Sequence, residues 1–174
     1  DIPTSEFNPY AKVAIEWTAE KLTEANRDYL WGLPLREEQE VFTMVHGSPR
    51  NPVWEYLTTE DAAIENLTHF STRGCLIGHT HVPFLASVEN GESVKLTAAR
   101  PGRAIAISGQ RFYLNPGSVG QPRDGDPRAS YALLDTEEMT VEFRRVSYDI
   151  PAAQRSIRAA GLPDMLAERL SQGR

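Results

Sequence analysis

Two short apolar runs, each leading to histidine beside glycine, constrain this chain more than any other feature. Val41-Phe42-Thr43-Met44-Val45 runs into His46-Gly47, and Cys75-Leu76-Ile77 runs into Gly78-His79-Thr80-His81. Apolar runs this short, bounded by glycine, read as buried strands rather than helices. Glycine lets the backbone turn sharply as it leaves the strand. Two buried strands ending in imidazole-bearing loops make a rigid frame for a metal, because histidine is the commonest metal-ligating side chain. On a regular strand residues i and i+2 share a face, so His79 and His81 are expected to line one cavity.

The rest of the chain supplies a mixed architecture around these runs. Asn8-Pro9 reads as an N-cap and first helical residue, with Tyr10, Val13, Ala14 and Trp17 on one helical face. Thr23 caps a second helix closed by Gly32, and Thr59-Glu60-Asp61 opens a third with Ile64 and Leu67 inward. Downstream of His81, short segments at 84–88, 93–97, 104–107, 111–114, 131–134 and 140–146 read as strands, with Asn90-Gly91 as a hairpin turn. The tail from Ala152 to Leu170 is helical, broken at Gly161-Leu162-Pro163. Helices early and hairpins late, around buried strands, predict an α/β sandwich with a mixed sheet. Trp17, Trp31, Trp54 and Tyr56 are expected as core anchors.

Composition narrows the function. A chain of 174 residues is long enough for one domain with a proper core. Its net charge of −6 argues against non-specific nucleic-acid binding, which needs a basic face. The single cysteine, Cys75, excludes an internal disulfide and reads as a buried, inert thiol. No apolar run approaches the length of a membrane span, so no membrane partner is expected and a cytoplasmic setting is the default.

His46-Gly47, Gly78-His79-Thr80-His81 and Leu114-Asn115-Pro116-Gly117-Ser118-Val119-Gly120-Gln121-Pro122-Arg123, in that order, resemble the calcineurin-like metallophosphoesterases. The last motif, with His46-Gly47-Ser48-Pro49-Arg50, resembles the small bacterial phosphodiesterase branch. The resemblance implies a sandwich of mixed β-sheets flanked by helices. It implies two divalent metal ions, drawn from Mn, Fe, Zn and Ni, with His46 and His79 sharing one ion and His81 binding the other. It also implies hydrolysis of a phosphodiester or phosphomonoester by attack of a metal-bridging hydroxide on phosphorus. The family's Asp-x-His, Gly-Asp and Gly-Asn-His-Asp or Gly-Asn-His-Glu motifs do not occur here. Residues 1–174 are therefore expected to be the C-terminal part of a single metallophosphoesterase domain. The remaining ligands and the family's acid histidine would lie in a missing N-terminal segment, leaving this chain alone inactive. The expected partners are that segment and a small-molecule phosphate ester; a homo-oligomer is left open.

Arg50 and Arg123 adjoin these motifs and are the candidate substrate-binding residues, since a guanidinium matches phosphate oxygens bidentately. Arg128 is a third candidate, although Arg123-Asp124-Gly125-Asp126 suits a surface turn with its own ion pair equally well. Arg100, Arg103 and Arg111 read as a solvated hairpin face, and His69 as a surface or cap residue. Asn115 to Gly120 reads as the tight turn that closes the sheet beside the site; the alternative turns its backbone N–H groups toward phosphate. Two other readings of function stand beside the enzyme. One is a catalytically incompetent fragment acting as a metal-binding or partner-binding module. The other is a mononuclear zinc hydrolase using the three histidines.

Overall fold

In the computed structural model, which describes residues 4–91 and 93–174, the chain forms two compact units. The helices are α1 (Pro9–Lys21), α2 (Glu24–Trp31), α3 (Glu60–Glu65), α4 (Ile150–Ala159) and α5 (Asp164–Glu168). The strands are β1 (Arg36–Glu38), β2 (Phe42–Val45), β3 (Gly74–Leu76), β4 (Phe84–Glu89), β5 (Ser93–Ala98), β6 (Ala104–Ala106), β7 (Arg111–Asn115), β8 (Ala129–Asp135) and β9 (Thr140–Val146).

The smaller unit joins the residues up to Pro34 with Asp149–Gln172. Its helices start where their caps dictate. Asn8 Oδ1 accepts from the N–H groups of Tyr10 and Ala11, Thr23 Oγ1 from Asn26, and Asp149 Oδ1 from Ala152. Gly161, at φ 71°, ends the α4 region in the left-handed conformation that glycine adopts without cost, and Pro163 leads into α5. The Gln154 side chain then donates to the Ala167 carbonyl at 2.9 Å, joining α4 to α5. No residue of α1 or α2 is buried among the described residues. The face of Tyr10, Val13, Ala14 and Trp17 exists as a helical stripe, but Tyr10 and Val13 are each 43% exposed.

The larger unit, Leu35–Tyr148 with Gly173–Arg174, holds every described strand. Six form a mixed sheet in the order β1-β2-β3-β7-β4-β5, and three form an antiparallel sheet in the order β6-β9-β8. β2, β3 and β7 run parallel, with Phe42 beside Gly74 and Gly74 beside Phe112. The other pairings are antiparallel. The expected α/β architecture, with helices and a mixed sheet, is therefore present. β1 is the strand that apolar patterning does not announce: Arg36-Glu37-Glu38 survives as a strand because it lies at the sheet edge, where charge is tolerated.

Alternation along the central strands divides the interior in two. Leu85, Phe112 and Leu114 meet Ile107, Val141 and Phe143 in one cluster, between the two sheets. Ala86, Val88 and Tyr113 join Val45, Cys75, Ile77, Leu57, Ala63 and Phe70 in the other. The Tyr113 hydroxyl donates to the Ala63 carbonyl at 2.7 Å, so α3 is tied to the sheet through Ala63 rather than Ile64. Burial pushes the Cys75 thiol up to about 12, which keeps it unreactive as expected.

Two expectations are corrected here. Arg111 does not lie on a solvated face. Its guanidinium sits 3.8 Å over the Phe70 ring and donates to the carbonyls of Leu67 and Phe70, whereas Arg100 and Arg103 are exposed. Nor are the tryptophans core anchors: Trp31 is 74% exposed, and Trp54 and Tyr56 are exposed as well. Aromatic size predicts contact area, not full burial.

Gly74 gives the first test. A Cβ there would lie 2.2 Å from the Phe112 ring, which is 1% exposed and has no room to retreat. Gly74→Ala should lower the unfolding free energy by about 1–3 kcal/mol, read from urea denaturation; an unchanged midpoint would mean that the ring yields.

Candidate metal centre

Parallel pairing brings the ends of β2, β3 and β7 to one edge of the sheet. His46 follows β2, Gly78-His79-Thr80-His81 follows β3, and Asn115 closes β7. The Gly78 N–H donates to the His46 carbonyl at 2.8 Å, binding the two loops together. His46 Nε2 then stands 2.9 Å from His79 Nδ1, with the rings edge-on. Tyr56 stacks on the other side of His79, its ring centroid 3.8 Å away and tilted by 21°.

The strand order β3-β7-β4 obliges residues 77–83 to cross the end of β7. Asn115 is fully buried beneath the crossing. Its Nδ2 donates to the Gly78 carbonyl at 2.7 Å and to Thr80 Oγ1 at 3.0 Å, and its Oδ1 accepts from the Gly117 N–H at 2.9 Å. The crossing is tight: His79 and His81 take φ values of 60° and 59°. The left-handed region costs a residue with a Cβ roughly 1–2 kcal/mol, and such outliers cluster at functional sites. The pair therefore does not sit on a strand with a shared face, as simple alternation would have it. The backbone turns between the two rings, and the Thr80 N–H bonds the Gly78 carbonyl at 2.6 Å. His81 is held from the far side by the turn after β7. Its Nδ1 lies 2.7 Å from the Gln121 carbonyl, and its own carbonyl accepts from the Arg123 N–H at 3.2 Å. Pro116 to Arg123 is thus the closing and supporting turn.

These rings suit a divalent cation. Burial lowers the His46 pKa. Burial foremost, then the neighbouring His46, lowers that of His79, while the Trp54 backbone acts weakly in the opposite direction. Both rings are thereby biased to the neutral, electron-donating form. The facing nitrogens have room for one proton or one cation between them, not two. Two imidazole nitrogens on one ion, each at about 2.1 Å, stand about 3.0–3.4 Å apart, close to the 2.9 Å observed. His79 Nε2 is screened from solvent and makes no well-directed hydrogen bond. A carbonyl only accepts, so His81 Nδ1 carries the hydrogen it gives to Gln121, and in the neutral ring of that tautomer the lone pair would lie at Nε2. Among the described residues, no three His, Cys, Asp or Glu side chains converge to hold a metal. The fit is that of a nitrogen-donor half-site.

The two substrate candidates fare differently. The Arg50 guanidinium is taken up by Glu55 and by Glu65, the latter at 2.8 Å. It belongs to a network beneath the His46 loop in which buried Ser48 and Asn66 also donate to Glu55. A phosphate reaching Arg50 would have to displace a carboxylate. Among the described residues the Arg123 side chain bonds only the neutral Gln121 Oε1, at 2.8 and 3.1 Å, and its charge is felt at His79. The guanidinium of the third candidate, Arg128, is taken up by Asp126, and His69 is exposed. Apolar patterning alone gives no notice of Tyr56, Glu55 and Gln121. Asn115 is visible in its motif, but its grip on the histidine loop depends on the strand order.

Residues 17–139 match the domain described as the calcineurin-like phosphoesterase superfamily domain. An uncharacterized protein of Methanocaldococcus jannaschii, MJ0912, is 34% identical over 173 residues, spanning 97% of this chain and 68% of that protein. A metallophosphoesterase from Sphaerobacter thermophilus of known crystal structure is 43% identical, with a TM-score of 0.86 over 97% of this chain and 69% of that one. The hypothetical protein PH1004 from Pyrococcus horikoshii shares the fold at 22% identity, with a TM-score of 0.76 over 97% of this chain and 62% of its own.

Asn115→Leu keeps the volume and removes three hydrogen bonds. It should cost about 1–3 kcal/mol and shift the amide resonances of residues 78–81 more than those of β5; uniform shifts would deny the clamp. Glu55 gives a pH test. Hydrogen bonding from Arg50, helped by Ser48 and Asn66 against the cost of burial, holds its carboxyl down to about 2 from 4.5. The folded pKa lies below the unfolded one, so this stabilisation is complete above about pH 4.5 and fades as pH falls toward 2. In Glu55→Gln the thermal midpoint should fall less steeply across that window.

Proposed function

This chain belongs to the calcineurin-like phosphoesterase superfamily, and we propose that it supplies the imidazole half of a dinuclear centre hydrolysing a small-molecule phosphodiester or phosphomonoester. The observation that carries this reading is the His46–His79 nitrogen pair, 2.9 Å apart. On this reading His46 and His79 hold one ion and His81, through Nε2, holds the second. Manganese, iron, zinc and nickel all suit imidazole with added carboxylate ligands. When bound, such ions supply a nucleophile from water at neutral pH and neutralise charge on the phosphoryl oxygens.

The chain's own residues set the geometry. Tyr56 fixes the plane of His79, Asn115 fixes the loop, and Gln121 fixes the tautomer of His81. Arg123, bonded only to a neutral amide among the described side chains, is the cation best suited to orient an anionic ester. Carboxylate ligands and the acid histidine would come from the part of the relatives' length beyond the 68–69% that this chain spans. No described helix is long and apolar enough to cross a membrane, in keeping with a proposed cytoplasmic setting. A second reading, a metal-binding or partner-binding module without turnover, draws on the lack of a three-donor cluster among the described residues.

Manganese titration by calorimetry, followed by hydrolysis of bis-p-nitrophenyl phosphate by the full-length protein, separates the readings. The first expects His46→Ala and His79→Ala each to weaken manganese binding at least about tenfold and to abolish turnover while leaving the circular dichroism spectrum intact. Manganese binding without turnover in the wild type would favour the second. Unaltered manganese binding in both variants would reject the ligand assignment.

A further inference from the structure

Behind the histidine loop lies a cavity of about 280 Å³ that the metal centre does not use. Its walls are mostly apolar: Leu57 and Ala63 from the α3 side, and Phe84, Ala86, Val94 and Leu96 from the sheet. Thr80 and Val82, which flank His81 in the loop, also line it. Two stretches of backbone lead from one site into the other. Tyr56, stacked on His79, is followed directly by Leu57, and His79 and His81 alternate with Thr80 and Val82.

The chemistry of the wall limits the occupant. A phosphate would lose its hydration among alkyl groups and face Glu60, which also lines the cavity. The size bounds it as well. An apolar cavity of about 150 Å³ accepts benzene, so this one has room for a substituted ring or a short alkyl chain. We propose that the cavity receives the apolar aryl or short alkyl group of the ester, while the phosphate stays beside His46, His79 and Arg123. The substrate role rests on the phosphoesterase reading; the affinity of the cavity for a ring does not.

Methyl and amide NMR on the metal-free protein, titrated with p-cresol, tests the site without turnover. Shifts should concentrate at Leu57, Ala63 and Ala86, and glycerol should produce none. Leu96 is 66% exposed, so Leu96→Asp should fold normally and weaken p-cresol binding tenfold or more; Ala86→Leu, which narrows the cavity from within, should do the same. Scattered shifts, or unchanged affinity in Leu96→Asp, would overturn the site. With manganese-loaded full-length protein, phenyl phosphate should exceed methyl phosphate in kcat/KM, and Leu96→Asp should reduce that preference. Equal kcat/KM values for the two esters would overturn the substrate role. Cavity-confined p-cresol binding with hydrolysis of neither ester, nor of bis-p-nitrophenyl phosphate, would instead refute the phosphoesterase reading and leave a ring-binding site.

Discussion

The parallel pairing of β2, β3 and β7 is the constraint on which the rest of the larger unit depends. Parallel strands place their carboxyl ends at the same edge, and adjacent strands lie about 4.8 Å apart. That spacing alone brings His46 within reach of the loop after β3, although 32 residues intervene between His46 and His79. The Gly78 N–H to His46 carbonyl bond extends the ladder one step beyond β3. In open α/β sheets, ligands gather at this end of the strands, and the histidines, Asn115 and the Pro116 to Arg123 turn all do so.

The histidine loop itself is strained and held. Two left-handed residues with side chains cost about 2–4 kcal/mol together. Five hydrogen bonds oppose that cost: two from Asn115, one from Gly78 to His46, and two at His81 through Gln121 and Arg123. At about 1 kcal/mol each, they are of the size needed. Every polar atom of the Asn115 amide group that the structure engages points into this crossing or the turn behind it. The polar core beneath His46, built from Ser48, Glu55, Asn66 and Arg50, gives the second loop a comparable footing.

Much of this was legible in the sequence because it is written in local chemistry. The caps at Asn8, Thr23 and Thr59, the break at Gly161, the Asn90-Gly91 hairpin and the strands bearing the histidines each follow from neighbouring residues. The resemblance of three ordered motifs supplied the fold family. What remained hidden depends on partners distant in the chain. Arg111 looks solvated until Phe70 comes beneath it, and Arg50 looks free until Glu55 and Glu65 meet it. β1 has no apolar signal, because an edge strand can be held by backbone pairing alone. The twist between His79 and His81 is set by a loop having to clear a strand end, which alternation rules do not foresee.

Asn115 has a consequence for how cations would come and go. It fastens the loop from below through its own hydrogen bonds, so the rings adopt their arrangement without any help from a guest. Loading then requires little rearrangement, and the empty and filled forms should nearly superimpose. A cradle that does not reshape itself around each visitor selects by fit, admitting ions that accept its fixed donor spacing.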